Sequence, residues 1–83
     1  MPRPKQNPKA TLRRDTEARL KQIGKRVQSA RISKNWTLQA LASEAQTTKS
    51  GIFYIENGSR APSVILMERI AEALDLPYSY FLT

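Results

Sequence analysis

TLQALASEAQTTKSGIFYIENG, residues 37–58, reads as two short helices joined by a tight turn. Thr37 can cap a first helix whose apolar positions are Leu38, Leu41, Ala42 and Ala45. Gln46, Thr47 and Thr48 then break the apolar period and supply a second cap, after which Ile52 and Ile55 face inward. Gly58 closes the unit.

Upstream, Leu20, Ile23, Val27 and Ala30 fall on one helical stripe, with Lys21, Lys25, Arg26 and Lys34 largely off it. This predicts a first helix beginning at about Thr11 or Asp15 and ending near Asn35. Gly24 lies inside the pattern at a cost of ~1 kcal/mol relative to alanine, so it either permits close packing or is simply tolerated. Residues 1–10, MPRPKQNPKA, set Pro2, Pro4 and Pro8 among basic and polar residues and offer nothing to bury. Residues 1–14 therefore read as a flexible basic arm before a domain over 15–83. Downstream, Ser59 to Pro62 form a loop, and Ser63 can cap a fourth helix with Val64, Met67, Ile70, Ala71 and Leu74 inward, ended by Asp75-Leu76-Pro77. The remaining PYSYFLT is apolar and aromatic enough to predict a short fifth helix or turn that packs Phe81 and Leu82 on the domain.

Eighty-three residues make one small domain at most, and no internal repeat is visible. Fourteen Lys and Arg against seven Asp and Glu give a net charge of +7, which favours a polyanion as partner, either nucleic acid or an anionic membrane surface. Arg3, Lys5, Lys9, Arg13 and Arg14 put +5 of this on the first fourteen residues. With neither cysteine nor histidine, the chain lacks disulfides, thiol nucleophiles, histidine bases and the usual zinc ligands, so no metal or other cofactor is expected. A membrane span needs ~18 or more apolar residues in a row, and neither that nor a signal-peptide core occurs, which points to a cytoplasmic protein.

Arg31 in helix 1, Leu41-Ala42 in helix 2, Ile52 and Ile55-Glu56-Asn57-Gly58 in helix 3, then Pro62 and Leu74, make a joint pattern. It resembles the DNA-binding domains of the lambdoid phage repressors and Cro proteins, the XRE family, over roughly Leu20 to Leu82. The resemblance implies an all-α, compact five-helix helix-turn-helix domain, here with the flexible N-terminal arm added. It also implies a transcriptional regulator, a repressor by family habit, that acts without catalysis as a homodimer on palindromic double-stranded DNA. Helix 3 would lie in the major groove, with half-sites ~34 Å apart.

By position in that family, Thr48, Lys49, Ser50, Phe53 and Tyr54 would point at base edges. Lys49 can donate to guanine O6 and N7, Ser50 can donate or accept, and the Thr48 methyl or Phe53 ring can meet a thymine methyl. Phe53 has a competing reading as core, although Ile52 and Ile55 already define the inner face. Thr37, Leu38, Asn57, Ser59 and Arg60 are the phosphate candidates near helix ends. Leu38 departs from the family, which often places a phosphate-touching glutamine there. Gly51 is a second departure, read either as room for close approach to a base pair or a neighbouring strand or as a local concession of ~1 kcal/mol. Arg31 and Glu56 match positions that family members often join by an ion pair, whose rupture should cost ~1–3 kcal/mol.

Arg3, Lys5 and Lys9 could track phosphates or enter a minor groove, the bland alternative being a solubilising tail. Val64-Ile65-Leu66-Met67 is apolar all round, so part of it is a candidate dimer seam, as are Tyr78, Tyr80, Phe81 and Leu82. Two other readings stand beside the regulator. An antitoxin-type module would bind DNA and a protein partner with the same fold. A peripheral membrane protein would use the arm and helix 1, but helix 1 lacks a large aromatic insertion face.

Overall fold

The computed structural model describes residues 8–82, with side chains from residue 13 onward. Four α-helices, α1 (Pro8–Ser33), α2 (Leu38–Glu44), α3 (Lys49–Glu56) and α4 (Val64–Leu74), are followed by a 3₁₀ helix at Tyr78–Leu82. The expected five-helix fold is thus corrected to four α-helices and one short 3₁₀ turn. Asp75 and Pro77 bring α4 to a stop, and Tyr80 N–H donates to the Pro77 carbonyl at 3.0 Å, the i→i+3 bond of the tighter helix. Phe81 is fully buried there, whereas Leu82, expected to pack beside it, remains 40% exposed.

The caps explain why elements this short exist. Thr37, Thr48 and Ser63 have extended backbones, and each hydroxyl accepts the third N–H of its helix, from Ala40, Gly51 and Leu66, at 3.0 Å. All four helices end on a left-handed residue: Asn35, Gln46, Gly58 and Asp75. Each is followed by a residue whose N–H reaches back to the last turn: Trp36 to Arg31, Thr47 to Ala42, Ser59 to Tyr54 and Leu76 to Ala71. Only Gly58 among the four is glycine, so at the other three the left-handed backbone itself carries no strong sequence signal, although each stop falls where the helical period was expected to end.

α1 begins at Pro8, upstream of Thr11, because a proline in the first helical turn loses an N–H that had no partner anyway. The helix therefore runs through the Arg14–Asp15 boundary expected for the arm. From Ile23 it joins the core with Val27 and Ala30, against Leu41, Ala42, Ala45, Ile52, Ile55, Met67, Ile70, Ala71, Leu74 and Phe81. Leu20 is only half-buried, outside that cluster. Gly24 is where α1 crosses the end of α3. A Cβ there would run into the Ile55 and Glu56 carbonyl oxygens and stand 2.8 Å from the Glu56 carbonyl carbon, so close packing is its role.

Candidate nucleic-acid interface

α3 has one face in the core and one open. Ile52 and Ile55 are sealed, while Thr48, Lys49, Ser50, Phe53 and Tyr54 are exposed, Phe53 by 49% and Tyr54 by 42%. The core reading of Phe53 is thereby removed. Its ring meets that of Tyr54 edge-on at 5.5 Å, and the Arg60 guanidinium lies 5.4 Å from the Tyr54 ring centre. Leu38, Lys49, Ser50, Phe53 and Tyr54 line one shallow recess of about 450 Å³. The start of α2 and the outer face of α3 are therefore a single surface with apolar and cationic parts.

Thr48 has a double task, since its Oγ1 caps α3 while the residue remains exposed. Gly51, by contrast, is buried. A Cβ there would stand 3.1 Å from Thr48 Oγ1 and 3.3 Å from Thr47 Oγ1, a tight fit against the two threonine hydroxyls.

Thr37 is exposed and Leu38 half-buried at the start of α2. Asn57, Ser59 and Arg60 are exposed beyond α3, where Asn57 Oδ1 accepts the Ser59 N–H at 2.9 Å and ties the loop back. Gly58 combines a φ of +80° with a close approach to α1: an added Cβ would stand 2.7 Å from Lys21 Cγ and 3.1 Å from its Cα. Lys21 is thus a neighbour of this loop, which helix periodicity alone did not reveal. Arg3 and Lys5 lie outside the described residues, and of Lys9 only the helical backbone is described.

Arg31 braces the loop from beneath. Its Nε donates to Glu56 Oε2 at 2.7 Å, one terminal nitrogen to Glu56 Oε1 at 3.1 Å, and the other to the Trp36 carbonyl at 2.7 Å. The two side chains are 12% and 4% exposed. A carboxylate at a helix C-terminus faces the negative end of the dipole, so Glu56 depends on this cation. Trp36 was not singled out by sequence: its carbonyl anchors Arg31, and its ring lies 5.3 Å from Lys34 Nζ.

Among the described residues no cluster of acidic side chains could hold a metal, and no helix is long and apolar enough to cross a membrane.

Residues 27–81 match the model of the helix-turn-helix family HTH_3. The chain is 37% identical over 57 residues to the competence pilus inhibition repressor of Acinetobacter baylyi, covering 69% of this chain and 52% of that protein. It is also 37% identical over 51 residues to the uncharacterized HTH-type transcriptional regulator YqaF of Bacillus subtilis, covering 61% and 67%. The chain thus spans about half the length of the first relative and two thirds of the second. Among solved structures, the restriction-modification controller protein C.AhdI from Aeromonas hydrophila superposes with a TM-score of 0.75 at 26% identity, over 77% of this chain and 97% of that one. An HTH_3 family transcriptional regulator from Vibrio cholerae gives the same score and identity over 80% of this chain and 37% of its own.

Proposed function

The chain belongs to the helix-turn-helix family, as a DNA-binding regulator of XRE type and not an enzyme, and on that premise we propose that it represses transcription as a dimer on a palindromic operator with α3 in the major groove. The observation that carries this reading is the two-faced α3, with Ile52 and Ile55 sealed and Lys49, Ser50, Phe53 and Tyr54 open beside Leu38. Lys49 and Ser50 supply hydrogen bonds to base edges, with Tyr54 alongside, while Phe53 and the Thr48 methyl offer apolar contact to thymine. Thr37, Asn57, Ser59 and Arg60 set the register on the phosphates through their side chains, and the Leu38 N–H at the start of α2 adds a backbone donor. Leu38 has no side-chain hydrogen bond to give, so its part is through the backbone.

Val64 and Ile65, 63% and 57% exposed at the start of α4, support a dimer seam, since adjacent exposed β-branched residues gain from a partner's cover. Arg3, Lys5 and Lys9 add an arm that follows the duplex backbone. Selection of bound duplexes from a random pool tests the whole reading. An enriched palindrome with half-sites about one helical turn apart is expected, and recovery of no motif refutes sequence-specific binding. Sedimentation of a monomer both free and on the selected duplex would refute the dimer.

A further inference from the structure

The charge of this chain is not where the family fold is. Residues 27–83 carry five basic and five acidic side chains, whereas residues 1–26 carry nine basic and two acidic, so the entire +7 lies ahead of the family-matched segment. Counterion release grows with the number of phosphates that Lys and Arg neutralise, and near α3 residues 27–83 offer Lys49 and Arg60 for it. Seven of the nine cations of residues 1–26, from Lys9 to Arg26, belong to α1.

Their placement is specific. Arg13 to Arg19 are exposed, and α1, 26 residues and ~39 Å long, projects so far that the molecule measures 56 Å against 23 and 21 Å. Arg14, Lys21 and Lys25, seven and four residues apart, share one stripe of the helix. Lys21 borders Gly58, next to Ser59 and Arg60, so this stripe continues the loop beyond α3. Further round the helix, Lys21, Gln22, Lys25, Arg26, Ser29 and Tyr80 border an open recess of about 570 Å³ whose lining holds three cations and no carboxylate. Arg26 stacks there at 5.2 Å from the Tyr80 ring centre, and its buried Nε has no hydrogen-bond partner among the described residues.

We propose that the Arg14–Lys21–Lys25 stripe of α1, with the recess beside Tyr80, is a second phosphate-binding surface that engages the duplex backbone outside the half-site read by α3. The inference rests on the DNA-binding reading above. It divides the labour, with α3 reading bases and α1 adding to the sequence-independent attraction.

The test uses the full chain and the double variant Arg14→Gln/Lys25→Gln, two exposed positions on α1. Affinity for the selected operator is measured between 50 and 200 mM salt, on a duplex trimmed to the operator and on one with flanks. Because the variant gives up two phosphate neutralisations, its slope of log K against log salt should fall by about 1.8, and its decline in affinity across that range should be about twelvefold smaller. Wild type should gain affinity from the flanks and the variant should not. An unchanged slope with equal flank dependence overturns the inference while leaving operator binding intact. Failure of wild type to bind any duplex instead removes the reading beneath it. Weaker binding of the variant to phosphatidylserine vesicles with unchanged duplex binding would also overturn it, assigning the stripe to a membrane surface.

Discussion

Arg31→Met isolates the brace under the loop that follows α3. The substitution removes two bonds to Glu56 and one to the Trp36 carbonyl, leaving a carboxylate with 4% side-chain exposure at the negative end of α3. Breaking a buried pair from one side costs ~3–5 kcal/mol, and the 12% exposure of Arg31 places this pair at the lower end, about 3 kcal/mol. Glu56→Gln should cost less, ~1–2 kcal/mol: the amide still accepts from Arg31, which keeps the Trp36 carbonyl and some water. Arg31→Met/Glu56→Leu replaces the pair with apolar groups and strands no charge, so it should be more stable than Arg31→Met alone. Circular dichroism at 222 nm followed through thermal and urea unfolding reads these three variants and Glu56→Leu alone. For a domain of this size ~3 kcal/mol corresponds to a fall in Tm of ~12–24 °C. Effects of Arg31→Met and Glu56→Leu that add to within ~0.5 kcal/mol, or an Arg31→Met no worse than Glu56→Gln, would refute the argument that the pair is coupled and desolvated.

Gly24→Ala should destabilise by ~1–3 kcal/mol despite alanine's better helix propensity, because its methyl meets the Ile55 and Glu56 carbonyls; a raised urea midpoint would contradict this. Gly58→Ala combines left-handed strain of ~1–2 kcal/mol with the approach to Lys21, and should lower both the Tm and the affinity for the selected duplex. If Phe53 meets a thymine methyl, a thymine-to-uracil exchange at one operator position should weaken wild-type binding by ~0.8 kcal/mol and leave Phe53→Ala indifferent. Equal penalties for both proteins at every thymine would take Phe53 out of the contact.

The parts of the fold set by local chemistry were legible in residues 37–58 and their surroundings. Thr37, Thr48 and Ser63 are caps by composition and position, and Ile52 and Ile55 face inward by period, because both properties depend on neighbours within a turn. The helix stops near Asn35, Gln46 and Asp75 were legible too, from the break in the apolar period and from Pro77; the left-handed backbone at each was not, because a residue other than glycine leaves little trace of it in sequence. The start of α1 at Pro8 was missed, since prolines in a polar segment suit either an extended arm or a first helical turn.

Sequence by itself determined the type of molecule: its pattern and caps specify a small helical domain, and its charge favours a polyanion as partner. Only the tertiary structure decided what Gly24, Phe53 and Lys21 do, because each depends on a surface brought from elsewhere in the chain. Gly24 is required by the end of α3, and Phe53 is left outside once Ile52 and Ile55 fill the core. Lys21 meets the loop at Gly58 only because α1 crosses α3 there. Helix periodicity reports which side of a helix is apolar; which neighbour covers it, and how closely, is a property of packing.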